Sequence, residues 1–293
     1  MTEFAALPAD LPWHLPAYLL LDGVAVPHLA QLARRWNHSA HCLYRHTCWH
    51  ELADISPYLI ALRGVDDPLL RCYHDHVQAQ WGYLLFSAAD SRELLQHYQG
   101  LLTVELADGT EVMPRIADPA VARSLLQLAE RCRSPRWFGP VQHLCVPDSF
   151  QATWTRHQRP SPPGARAGHT TVLRLTDEEM TALGEVEFRR SVQALDVHLR
   201  NHFPGYLAAS SATERLRHIQ RLAEDAYARG FTSAQALTLY LNTLAHLGED
   251  PSQHPQEILE LLKLSPSEPP LTRLQRAAEM AERHAATSQG RSI

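Results

Sequence analysis

The chain has 293 residues, 45% hydrophobic and 20% charged, so it can bury a sizeable core, and two domains are expected from its length. A formal net charge of −5 argues against nucleic acid as the main partner, because phosphate binding needs a basic face. The first sixteen residues have no basic region leading an apolar one, no apolar run reaches membrane-spanning length, and the five cysteines are odd in number; the expectation is a cytoplasmic protein with reduced thiols, no signal peptide and no membrane partner.

Residues 17–22 (AYLLLD) read as a short buried strand ended by Asp22-Gly23, and Pro27 opens a helix with Leu29, Leu32, Ala33 and Trp36 on one face. Ser56-Pro57 leads into a second strand, YLIAL. Residues 66–80 read as a helix opened by Asp67-Pro68, and residues 81–87, beginning Trp81-Gly82, as a third strand. A helix over 91–98 closes at Gly100. Leu102, Val104 and Leu106 then alternate up to Asp108-Gly109, and a second extended run covers 111–116. Asp-Gly between alternating segments predicts a hairpin with a type I′ turn, whose positive φ these residues tolerate. Asp118 as N-cap and Pro119 as first helical residue start a helix to about Cys132. Residues 137–146 (WFGPVQHLCV) read as a further strand, bent at Gly139-Pro140.

Strands alternating with short helices predict an α/β-type domain over residues 1–155, with a mixed sheet and the hairpin. Residues 156–171, rich in Pro, Gly, Ser and Arg, read as a linker or mobile loop. Residues 172–293 read as all-helical: Thr176 with Glu179 and Ser211 with Glu214 form capping boxes, Phe188, Val192, Leu195, Leu199 and Phe203 make an apolar stripe, and Gly230 and Gly248 are stops. The fold class is therefore α+β, an α/β-type N-terminal lobe followed by an all-α lobe.

The densest chemical cluster is His38, His41, Cys42, His46, Cys48 and His50. These residue types bind zinc, but there is no C-x-x-C pair and no H-E-x-x-H, so a loop and strand with half-buried histidines and inert thiols is favoured. A metal site on His41, Cys42, His46 and His50 is the alternative. Cys72, His74 and His76 are spaced so that they point to different faces. No nucleophile elbow, phosphate-binding loop or dinucleotide fingerprint occurs, and the expectation is no catalytic residue, no cofactor and no enzyme activity. Asp54, Asp66, Asp67, Asp90 and Asp118 fall mostly at helix starts, where capping explains them. The six tryptophans default to core, with Trp137-Phe138 and Trp154 the better candidates for an exposed contact surface. Phe203, Tyr206 and Tyr240 are the candidate partner contacts in the helical part.

The order AYLLLDG, ELADISPYLIAL, WGYLLFSA, LLTVELADGTEVMPRIADP and FGPV resembles the effector adaptors (Tap/Tec chaperones, DUF4123 domain) of bacterial type VI secretion. The matching features are Asp22, Pro57-Tyr58-Leu59, Trp81-Gly82 with Ser87, Asp108-Gly109, Arg115 with Asp118-Pro119, and Gly139-Pro140. One departure is Ile116-Ala117, where that family usually has an aromatic pair. The helical half is also similar, at Leu175-Thr176 and over residues 198–204, 226–233 and 240–248. The resemblance implies a non-enzymatic, cytoplasmic adaptor that binds a cognate toxic effector and hands it to the VgrG spike protein. Two other readings stay open: a metal-binding enzyme or regulator built on residues 38–50, and an immunity protein that neutralises a toxin.

Overall fold

A computed structural model describes residues 4–36, 39–160, 173–250, 254–263 and 268–289. The chain divides into two compact units, residues 1–186 and 187–293. Their composition is that of an α+β protein, with the sheets in the first unit and helices alone in the described part of the second.

The first unit is built on a six-stranded antiparallel sheet. Its strands are β1 (Ala17–Leu21), β2 (Ala40–Cys42), β3 (Tyr58–Ala61), β4 (Gly82–Phe86), β7 (His143–Asp148) and β8 (Thr153–Gln158), in the order β2-β3-β1-β4-β7-β8. β1 and β4 are buried throughout, because both faces of the sheet are covered. Alternate residues therefore serve two cores. Leu19 and Leu21 of β1, with Leu84 and Phe86 of β4, pack with Leu29 and Ala33 of helix α1 (Leu29–Arg35) and with Leu69, Leu70 and Tyr73 of α2 (Pro68–Asp75). Tyr18 and Leu20, with Tyr83 and Leu85, face Leu94 and Tyr98 of α3 (Ser91–Gly100) and Val121, Leu125 and Leu126 of α4 (Pro119–Arg131). The helices start where short polar side chains can satisfy the first free amides: Asp67, Asp90 and Asp118 each accept backbone N–H bonds from the first turn that follows.

The hairpin forms where it is predicted but belongs to a separate small sheet. β5 (Val104–Glu105) pairs antiparallel with β6 (Glu111–Val112) and parallel with β9 (Leu173–Arg174). Its turn differs from the type I′ expectation. Gly109 N donates to Leu106 O and Leu106 N to Thr110 O, while only Gly109, at φ 84°, has positive φ. That is a type I turn closed by a left-handed glycine, stabilised by the Asp108 carboxylate accepting from Thr110 N.

One further expectation is corrected. The strand predicted over 137–146 starts only at His143; residues 136–140 form a turn whose apolar side chains are buried without being extended. β8 runs to Gln158, β9 belongs to the first compact unit, and the unit boundary falls at 186/187, inside helix α5 (Asp177–His202). Most of the expected linker, 161–172, lies outside the described residues. Where β8 ends, α4 reaches over its outer side: Glu130 Oε1 accepts from Gln158 N at 2.7 Å and Oε2 from the His157 ring at 3.1 Å.

In the second unit, the C-terminal half of α5, α6 (Ala212–Ala228), α7 (Ala234–Leu247), α8 (Gln256–Leu261) and α9 (Pro270–Gln289) enclose one core of Leu195, Leu199, Ile219, Phe231, Leu241 and Leu274 among others. The Ser211–Glu214 capping box starts α6, and Gly248, at φ 86°, ends α7. Two arginines satisfy the end of α8: Arg273 lies over the Phe231 ring and donates to Lys263 O, and Arg229 donates to Leu262 O. Among the described residues no helix is long and apolar enough to cross a membrane.

Candidate partner-binding site

The motif residues converge on the joints of the first unit. Asp22, at the end of β1, is 3% exposed; its Oδ1 accepts from Val24 N and its Oδ2 from Arg115 Nη2 at 2.5 Å. Arg115 also lies 3.8 Å from Asp118, the cap of α4, so one guanidinium links the end of a strand to the start of a helix. Ile116 is buried beside it and its carbonyl accepts from the Tyr83 hydroxyl, an anchor that does not need an aromatic at 116. Gly82 sits against β1, where a Cβ would come within 1.9 Å of Leu20 O, and Trp81 stacks on His76. Pro57 O accepts from Leu43 N, and Pro140 O accepts from the Ser87 hydroxyl.

Of the six candidate contacts, three prove to be interior. Trp137 is 6% exposed, Phe138 0% and Tyr240 2%, which corrects the expectation of an exposed surface at residues 137–138 and of a contact through Tyr240. The Trp137 indole N–H donates to Glu179 Oε1 at 2.6 Å, and Arg136 Nε donates to the same oxygen at 2.9 Å. Glu179 Oε2 also accepts from Thr176 N, closing the predicted capping box. The Tyr240 hydroxyl donates to Asp225 at 2.5 Å. Trp154 is half-buried on β8, edge-on to Phe4, with its N–H donating to Ala5 O at 2.8 Å.

Phe203 and Tyr206 are brought together. They line a groove of 560 Å³ in the second unit with His202, Gly205, Ala245, His246, Gly248, Glu249 and Ala285. The groove lies where α5 and α7 end, because Pro204 and Gly248 stop them side by side. The Phe203 ring meets His246 edge-on at 4.9 Å, and the Tyr206 hydroxyl is 3.4 Å from His218 Nε2. Glu249 Oε1 accepts from Leu207 N at 2.8 Å, which fixes its carboxylate at the rim. Burial, and then the charge of Glu249, push the Tyr206 phenol up to about 12. The sequence reading missed His202, His246 and Glu249. The signal available for them was a histidine–aromatic cluster at one helix end and an acid directly after a glycine stop. A second groove, of 440 Å³ in the first unit, is lined by Leu128, Arg131, Cys132, Glu178, Thr181, Ala182 and Glu185, a mixed-charge set without aromatic walls.

The metal alternative is not assembled. Among the described residues no three His, Cys, Asp or Glu side chains come together as a ligand set. His41 and Cys42 are consecutive on β2 and so face opposite sides; Cys42 is buried in the core, while His50 is bound to Thr47 O. His38 lies outside the described residues.

Residues 17–134 match the family model described as domain of unknown function DUF4123. Over that stretch the chain is similar to the DUF4123 family. It is also 29% identical over 278 residues to accessory protein VasW of Vibrio cholerae serotype O1, covering 93% of this chain and 90% of that protein. No solved structure gives a significant match. Both matches bear out the family resemblance read from the motif order. Within the stretch matched to DUF4123 lie Asp22, Pro57, Trp81, Gly82, Asp108, Gly109, Arg115, Asp118 and Pro119, whereas Gly139, Pro140 and the groove at Phe203 and Tyr206 fall beyond it.

Proposed function

We propose that this protein is a non-enzymatic, cytoplasmic adaptor that binds a type VI secretion effector and loads it onto the VgrG spike. The observation that carries the reading is the end-to-end match to a protein named an accessory protein, which reaches past the stretch matched to DUF4123 into the helical unit. The uses found for the motif side chains also support it. Asp22, Arg115, Asp118 and Gly82 hold the first unit together, which leaves recognition to surfaces elsewhere. Phe203 and Tyr206 remain the proposed contacts on the helical unit, with Trp154 on the first. A loader that must release its cargo is suited by a small, partly polar groove of this kind.

The test is a pull-down with tagged full-length protein from the native bacterium under reducing conditions, with partners identified by mass spectrometry. Recovery of a spike protein and one large toxin is expected, with the toxin's activity retained in the complex. Recovery of neither, or tight inhibition of the toxin, would sink the adaptor reading; inhibition is the behaviour of an immunity protein.

A further inference from the structure

We infer that the groove at the ends of α5 and α7 accepts a basic side chain, arginine or lysine, from a segment of a partner polypeptide. The walls are rings: His202, Phe203, Tyr206 and His246. The remaining apolar lining is small, Ala245, Gly205, Gly248 and Ala285, and the 560 Å³ volume has room for one long side chain beside the rings. Of these, the Phe203 and Tyr206 faces attract cations through their negative π surface.

The fixed charge in the lining is negative. Glu249 is the formally charged residue of the lining at neutral pH, and Asp250 follows it in the chain. Its Oε1 is held by Leu207 N, and Oε2 has no bond among the described residues. Two helices of 26 and 14 residues end at the groove, and helix C-termini carry partial negative charge. The Glu249 charge already acts on Tyr206 and on His218.

Competing occupants fit worse. An anion would meet Glu249 and two carbonyl-bearing helix ends. A wholly apolar segment would cover the Glu249 carboxylate without giving it a partner, which is costly. A guanidinium or ammonium meets the carboxylate and the rings together, with a charge-assisted hydrogen bond to Oε2. That the segment belongs to a carried effector rests on the adaptor reading; the groove's preference for a cation does not.

The experiment uses the full-length protein, ¹⁵N-labelled, titrated with N-acetyl-argininamide and, as an uncharged control, N-acetyl-norleucinamide, each to about 50 mM. Saturable shifts confined to the amides of 202–207 and 245–249 are expected with argininamide, and affinity at least about tenfold lower with the control. Glu249→Gln keeps the Oε1 acceptor for Leu207 N, so spectra away from the groove should be unchanged while argininamide affinity falls about tenfold. Phe203→Leu should lower it about threefold. Equal binding of the two amides, undiminished binding to Glu249→Gln, or no saturable shift overturns the proposal. The pull-down keeps the two readings apart. Argininamide binding without toxin capture defeats the adaptor reading alone, and capture without argininamide binding defeats the cation site alone.

Discussion

Asp22 and Glu179 show how single carboxylates decide the first unit. Asp22 is buried, and Arg115 gives it its guanidinium partner. Among the described residues, removing the cation leaves the carboxylate with the Val24 amide, although water can reach the site because the Arg115 side chain is 43% exposed. Arg115→Ala is therefore expected to cost about 2 kcal/mol, below the value for a fully buried pair, with Arg115→Lys intermediate; the urea midpoint reads both. Glu179 is buried to a similar degree but has more partners, with Trp137, Arg136 and Thr176 all donating to it. Glu179→Ala is expected to cost about 3 kcal/mol and to change the near-ultraviolet signal and fluorescence of Trp137. The capping role of Glu179 was legible because Thr176 stands three residues before it. Its bond to Trp137 was not, since nothing local marks a partner 42 positions away.

Elements were legible in proportion to how local their causes are. The Asp67, Asp90, Asp118 and Ser211 caps are read from four or five residues, and each accepts the bond expected of an N-cap. β8 was missed because TWTRHQ neither alternates cleanly nor is bounded by strong breakers; pairing with β7 makes it a strand. Residues 137–140 were read as extended because apolar character marks burial, which a turn can satisfy equally well. The strand order rests on pairings between distant segments and has no local signature. Gly82 is the sharpest test at this scale. Its φ is 147° and a Cβ would overlap Leu20 O, so the β1–β4 pairing tolerates no side chain there. Gly82→Ala is expected to lower stability by more than about 3 kcal/mol or to abolish soluble expression, whereas Gly100→Ala, with open space around it, should be tolerated within about 1 kcal/mol by thermal unfolding.

At the scale of the molecule, buried and half-buried histidines contribute to the response to acid. His157 has a fully buried side chain, and its ring donates from Nδ1 to Glu130 while Nε2 has no partner among the described residues. Burial pushes its pKa below the usual 6.5, against the pull of Glu130 and helped by Arg123. Burial likewise lowers His143 and His218. A depressed folded-state pKa means that the unfolded chain binds more protons, so stability is full above about 6.5 and declines as pH falls through that value. Melting temperature is expected to drop between pH 7 and 5, and His157→Gln to flatten part of that slope; an unchanged slope would remove His157 from the account. The division at 186/187 was not legible, because α5 runs through it without a break in periodicity. The groove was half legible: Phe203 and Tyr206 stand out as aromatics by a helix end, but Glu249, 43 residues beyond Tyr206, comes to them only through the packing of α7 beside α5.

The carboxylate of Glu130 also bears on how the protein behaves in concentrated solution. An edge strand offers unpaired amides to any other chain, and two such edges from separate molecules can zip together. By occupying Gln158 N, Glu130 closes the terminal docking position of β8 and sets a negative charge beside it. Glu130→Ala would uncover that amide and withdraw the repulsion between neighbours. Its colloidal behaviour should change before its fold does: light scattering is expected to show concentration-dependent association in the variant at protein levels where the parent stays monodisperse.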